Sequence, residues 1–267
     1  MSLVVKNLNF NYGSRRVLKD ISFQVPKGVL VCVLGANGVG KSTLFRCILA
    51  LNDKYEGEIY IDEEPVKKFS VKELAKRVAF IPQSHAPTFN YKVIDIVLMS
   101  TTAYLDRFSS PGKAQRKIAE EALERVGISY LANRGYEQIS GGERQLVLIA
   151  RALAQKTKII VMDEPTSSLD YGNQIRVLSQ IKQLAVEGYT IIQSTHHPDQ
   201  AFLYADKTLV LYNGSVLRYG ETKDIINEGI IKKIYGINVE LNSLYDDMLR
   251  VSVPIDEINR LRAVNKA

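Results

Sequence analysis

Along the first third of the chain the apolar positions fall in short runs broken by glycine and charge, a spacing that predicts strands. Residues 3–10 alternate loosely between apolar and polar, and 17–25 alternate again before Pro26, Lys27 and Gly28. Residues 29–34 are apolar without interruption and rich in β-branched side chains, as in a parallel strand buried on both faces. Glycines at 35, 38 and 40 then break the pattern. Leu44, Phe45, Ile48 and Leu49 resume at helical spacing, so a helix starts at Lys41. Further strands are predicted at 57–61 and 78–82, with a short helix near 71–76.

From about residue 86 to 154 the pattern loses its strand period. Residues 93–99 read as an apolar helix and 109–112 as a loop. Ile118, Ala119, Ala122, Leu123 and Val126 mark one face of an amphipathic helix. Leu146, Ile149, Ala150 and Leu153 mark another, so the block predicts a helical insertion into an α/β core. Strand periodicity returns at 159–162 and 190–194, separated by a helix running to about residue 187. Residues 209–212 and 216–219 flank Asn213-Gly214, which predicts a hairpin. Two short helices follow, and from about residue 236 the pattern weakens into a C-terminal extension.

The breaks between these elements carry the candidate chemistry. Gly35-x-x-x-x-Gly40-Lys41-Ser42 is a P-loop pattern placed between strand and helix, the context that gives it meaning. Its glycines let backbone N–H groups converge on phosphate oxygens, Lys41 reaches the β- and γ-phosphates, and the Ser42 hydroxyl suits Mg²⁺. This pattern predicts a nucleoside triphosphate site. Asp163 and Glu164 follow the strand 159–162, and carboxylates at the C-terminal end of a parallel strand stand where such sheets bind ligands. Asp163 is the natural partner of Ser42 on Mg²⁺, and Glu164 could polarise an attacking water. His196, at the end of another strand, could reach a γ-phosphate or simply sit on the surface. Tyr12 could stack on adenine or be an edge-strand tyrosine. Ser140, Gly141 and Gly142 open a helix, which serves phosphate binding and plain N-capping equally well. Gln83 alone reads as polar surface.

Composition narrows the classes. With 267 residues, 46% of them apolar, the chain can bury a substantial core in one large domain or in one with an inserted piece. No apolar run is long enough to span a bilayer, and the N-terminus has no signal-peptide pattern, so an intracellular protein is expected. The net charge of +6 comes from scattered lysines and arginines, which excludes a dedicated nucleic-acid groove. Cys32 and Cys47 read as small buried thiols.

Taken in order, these motifs resemble the ATP-binding subunits of ABC transporters over roughly residues 1–235. Gly35, Asn37, Gly38, Gly40, Lys41, Ser42 and Thr43 resemble the Walker A motif, Gln83 the Q-loop, and 159–163 Walker B. Residues 139–145 resemble the ABC signature, 167–170 with Asp170 the D-loop, and His196 the switch histidine. The resemblance implies an α/β fold: a P-loop NTPase (RecA-like) core with an antiparallel β subdomain and a helical ABC subdomain inserted at about 87–154. The extension would be 236–267. It further implies ATP and Mg²⁺ as ligands, Tyr12 stacking on adenine, and Gln83 sensing Mg²⁺ and the attacking water. Two chains would sandwich two ATP molecules, with Ser140, Gly141 and Gly142 acting on the partner's nucleotide. Two signature positions depart from the family pattern: Ile139 replaces leucine, and Glu143 replaces glutamine and removes an amide donor.

Longer stretches, 95–99, 142–154, 169–174 and 194–201, are similar to importer ATPases for iron–siderophore, haem and cobalamin; molybdate or tungstate importers share the architecture. The implied protein is a peripheral ATPase on the cytoplasmic face of the membrane. It would work with a permease and a substrate-binding protein and without nucleic acid. Those relatives carry Gly-Arg where this chain has Ser100-Thr101, on the surface expected to meet the permease. ABC proteins acting on ribosomes or DNA usually carry two cassettes or a long coiled coil, and neither is present here.

Overall fold

A computed structural model describes residues 2–83, 90–105, 109–246 and 249–264, with only the backbone of 259 and 261–264. In chain order its elements begin with β1 (Leu3–Tyr12), β2 (Arg15–Val25), β3 (Leu30–Leu34), α1 (Lys41–Ile48), β4 (Glu56–Ile61) and β5 (Glu64–Pro65). Next come α2 (Val71–Ala75), β6 (Val78–Ile81), α3 (Val93–Met99), α4 (Lys113–Arg125), α5 (Gly141–Ala154), β7 (Ile159–Met162) and α6 (Tyr171–Val186). The chain continues with β8 (Thr190–Thr195), α7 (Pro198–Tyr204), β9 (Lys207–Tyr212), β10 (Ser215–Glu221), α8 (Thr222–Ile225) and α9 (Glu228–Tyr235). Last are β11 (Val239–Leu244), β12 (Leu249–Pro254) and α10 (Ile255–Val264).

A six-stranded sheet runs in the order β10-β9-β3-β8-β7-β6, parallel except for β10. A second, antiparallel sheet runs β2-β1-β4-β5. The uninterrupted apolar run of β3 has its expected cause, because all five of its residues are buried. Val31 and Val33 face a core shared with α1 and the antiparallel sheet, while Cys32 and Leu34 face one shared with α7 and α9. Both cysteines are buried, and burial pushes each thiol up to about 12, so neither is reactive at neutral pH. Helices α3, α4 and α5 form the helical subdomain, packed through Ile94, Val97, Ala122, Leu123, Val147 and Leu148. The proposed start of that insertion, residue 87, lies outside the described residues.

Two regions differ from the sequence pattern. Residues 198–204, to which the pattern assigns no element, form α7, started by Pro198 at its first position. The C-terminal stretch, where the pattern weakens, is a hairpin, β11–β12, followed by α10. Its strands alternate poorly because only Val239 and Leu241 reach the core cluster, so little hydrophobic period is written into them.

Candidate functional site

The topology brings the C-terminal ends of β3, β6, β7 and β8 side by side, and the residues that follow each strand meet there. Gly40 ends the loop after β3 with φ at 113°, a conformation that favours glycine, and it caps α1 with no side-chain oxygen. The first-turn N–H groups of α1 therefore remain available as donors. A cleft of about 470 Å³ opens over them. It is lined by Tyr12, Arg15, Val17, Asn37, Gly38, Gly40, Lys41, Ser42, Thr43, Gln83 and Glu164.

Lys41 and Glu164 form a buried ion pair at its floor, Nζ to Oε1 3.2 Å, with the two side chains 5% and 10% exposed. The Lys41 ammonium also donates to the carbonyls of Gly35 at 2.8 Å and Ala36 at 3.2 Å. On its other oxygen, Glu164 accepts from Gln83 Nε2 at 3.1 Å, and His196 Nδ1 approaches that oxygen to 3.4 Å. His196 Nδ1 is buried and lacks a hydrogen bond among the described residues, an orphaned polar atom aimed at the carboxylate. Glu164 holds φ at 43°, rare for a non-glycine residue. Its N–H donates to Ser194 Oγ at 2.9 Å, and that hydroxyl donates to Asp163 Oδ1 at 2.7 Å. Ser194 thus fixes both acids relative to β8. Burial, with His196 alongside, holds the neighbouring His197 imidazolium below its ordinary range.

Tyr12 stands at the cleft mouth, 46% exposed, with its ring edge-on to Phe10 at 4.8 Å and its hydroxyl accepting from Asn52 Nδ2. Ser140, Gly141, Gly142 and Asp170 do not line this cleft. Ser140 caps α5, and its own N–H donates to the Glu143 carboxylate at 2.8 Å. Tyr130 donates to the same carboxylate at 3.1 Å. The missing amide at 143 is therefore replaced by an acid that closes a capping box. Asp170 caps α6, accepting from the backbone and side-chain nitrogens of Asn173. The Asn173 amide in turn sits so close to Gly142 that no Cβ fits there.

Glu143→Ala is expected to destabilise the fold by about 0.5–1 kcal/mol, and Glu143→Gln to stay near wild type, because glutamine also closes a capping box. Thermal melts of both variants test this. The Ser140 N–H, above all, holds the Glu143 carboxyl below the usual carboxylate range. Its contribution is therefore complete above the unfolded-state value and is lost only as the pH falls through the lower folded one.

Sequence reasoning missed Arg15, Val17 and Ser194. A basic pair at a hairpin and a serine inside a buried strand carry no distinctive local pattern; only the position of Ser194 beside the acids after β7 could have marked it.

A glycine cradle with a lysine, placed over a helix start and faced by a carboxylate and a histidine, defines a P-loop nucleotide-binding ATPase. Residues 18–167 match the family model described as ABC transporter. An uncharacterised ABC transporter ATP-binding protein of Haemophilus influenzae is 41% identical, covering 90% of this chain and 92% of its own. The molybdate import ATP-binding protein MolC of the same organism is 38% identical over 84% of each chain. The iron(3+)-hydroxamate import ATP-binding protein FhuC of Bacillus subtilis is 31% identical over 90% of each.

Among solved structures, an inward-facing one named as a metal-chelate type ABC transporter aligns at a TM-score of 0.84 with 33% identity, covering 95% of this chain and 96% of that one. A dimeric ATP-binding cassette in a post-hydrolysis state, bound to ADP and Pi, aligns at 0.70 with 30% identity, covering 82% and 98%. The chain belongs to the ABC transporter ATP-binding family, as an ATP-hydrolysing transporter subunit. Its α/β core, antiparallel sheet and helical subdomain are that family's fold.

Proposed function

We propose that this subunit drives import of a metal chelate, of the iron–siderophore, haem or cobalamin type, through a separate membrane permease. The convergence of Lys41, Gln83 and His196 on Glu164 carries the catalytic half of this reading. Lys41 and the N–H groups of Gly38, Gly40, Ser42 and Thr43 bind the phosphates, with Asn37 completing the loop, and Tyr12 supports the adenine. Glu164 orients a water and takes its proton as the water oxygen bonds to the γ-phosphorus and the bond to the bridging oxygen breaks. Gln83 holds the Glu164 carboxylate in place, and His196 stands beside it to reach the γ-phosphate.

The donor set suits Mg²⁺. Ser42 lines the cleft and offers a hydroxyl, Gln83 offers an amide oxygen, and Asp163 keeps Oδ2 uncommitted among the described residues. Held by these groups, Mg²⁺ would neutralise phosphate charge. Ser140, Gly141 and Gly142, with Asp170 beside them through Asn173, act on the nucleotide of a second copy. The dimeric relative supports that sandwich.

The import direction and metal-chelate cargo are supported by the iron-hydroxamate relative and the metal-chelate structure. A molybdate cargo is the second reading, favoured by the 38% identical molybdate relative. We assign residues 1–235 to the ATPase domain, 87–154 to its helical insertion and 236–267 to the extension. The subunit sits peripherally on the cytoplasmic face, with a substrate-binding protein completing the system. No helix among the described residues is long and apolar enough to cross a membrane.

An apolar groove of about 410 Å³ between the residues after α1, α2, β6, the end of α3 and the end of α5 receives the permease, exposing Leu51, Val71 and Met99. Ser100 lines it. Thr101, expected on that surface, is instead buried with its hydroxyl on the Leu98 carbonyl. Val71 is 89% exposed, so Val71→Glu should cost little stability. The variant is expected to abolish co-purification of a polytopic membrane protein in mild detergent while leaving ATP binding intact. Recovery of ribosomal or DNA-repair proteins by the wild-type chain, with no membrane protein, would overturn the transport reading. Vesicle uptake of ferric hydroxamate against molybdate separates the two cargoes.

A further inference from the structure

The His196 ring packs against that of His197 at 4.1 Å and stands beside Glu164 without a hydrogen bond of its own at Nδ1 among the described residues, so the path of its backbone bears directly on where the ring stands. That backbone is held from the C-terminal part of the chain. Tyr235 is the last residue of α9, which Gly236 stops in the left-handed conformation at φ 73°. Ile231 and Ile234 anchor the helix against Cys32, Leu34 and Val210 of the parallel sheet. From this fixed base the Tyr235 hydroxyl donates to the His196 carbonyl at 2.8 Å. Burial pushes its phenol far above the ordinary tyrosine range, so it stays a donor at physiological pH.

A second grip lies three residues beyond His196. Asp199, in the first turn of α7, accepts from both the backbone N–H and the hydroxyl of Ser252 on β12, at 3.0 and 2.7 Å. The peptide bearing His196 is thus held at its carbonyl, and the helix that follows is held at its start. Neither contact touches the cleft.

We infer that Tyr235, backed by Ser252, is a positioning residue that sets the His196 imidazole against Glu164, so that α9 and β12 support ATP hydrolysis from outside the cleft. The inference rests on the catalytic reading of His196 given above. It also gives the hairpin β11–β12 a role that the sequence pattern of the extension does not suggest.

The test uses the full-length chain, assayed well below its melting temperature so that every variant is folded. Tyr235→Phe removes one hydroxyl and little volume. Its kcat is expected to fall roughly three- to tenfold, the effect of one positioned hydrogen bond. KM for ATP and the affinity for a fluorescent ATP analogue should stay within about twofold, since the phosphate cradle is untouched. Ser252→Ala keeps the backbone donor and should show a smaller loss in the same direction. A Tyr235→Phe kcat within about twofold of wild type, or a parallel loss of kcat and nucleotide affinity, would overturn the inference. His196→Ala separates the two levels. If it turns over ATP at the wild-type rate, the catalytic reading of His196 fails. If it is inactive while Tyr235→Phe is unaffected, only the positioning role fails.

Discussion

Glu164→Gln is expected to bind ATP at least as well as the wild-type chain while losing turnover by roughly 10²- to 10⁴-fold, the range for removing a general base. Two features of the floor of the cleft produce this combination. The carboxylate is the group placed to take a proton from water, and glutamine cannot. The same carboxylate also pairs with Lys41 at 3.2 Å, so part of the lysine's charge is already engaged before phosphate arrives. Glutamine preserves the shape and can still hydrogen-bond Gln83, yet it releases the ammonium for phosphate. With ATP bound and no hydrolysis, two copies should persist as a closed dimer. Size-exclusion chromatography with ATP and a phosphate-release assay check both halves. Wild-type turnover by this variant would remove Glu164 from the mechanism.

Lys41→Ala should act in the opposite sense, weakening nucleotide binding by roughly 10- to 100-fold, the equivalent of one charged hydrogen bond to phosphate. Turnover should fall further, because the same ammonium stabilises charge developing on the transferred phosphoryl group. The variant also strands Glu164, which is 10% exposed and loses its cation. That should destabilise the free protein by about 1–3 kcal/mol, the cost of leaving a buried acceptor unsatisfied. Adding Glu164→Gln to Lys41→Ala should recover most of that stability, because the uncompensated charge is gone. Denaturant melts of the two single variants and the double one measure the coupling. Strictly additive losses would show that the ion pair does not hold the site's floor together.

What was legible in the sequence follows the range of the forces involved. Residues 29–34 and 159–162 announced themselves because the wholly buried strands β3 and β7 are apolar almost without interruption, as strands covered on both faces tend to be. The phosphate loop was equally plain, since a tight turn into a helix start needs its glycines and lysine at fixed spacing along one stretch. The acids after β7 could be paired with that loop because parallel strands end on the same side of a sheet. Elements whose apolar content is thin left no such trace. Helix α7 is seven residues long, and the hairpin β11–β12 is mostly half-buried or exposed, so neither wrote a period into the chain.

Tertiary structure alone decided the contacts that join distant segments. Ser194 bridges Asp163 and Glu164 from another strand, Arg15 and Val17 complete the cleft from the antiparallel sheet, and Tyr235 holds the His196 carbonyl from 39 residues away. Each is a single polar or small apolar residue whose meaning depends on what the fold places beside it. The sequence by itself determined the class of chemistry, through patterns that local backbone geometry requires. The geometry of the site, and the tie between its histidine and the C-terminal segment, came from packing, where the partners of a hydrogen bond need share no neighbourhood in the chain.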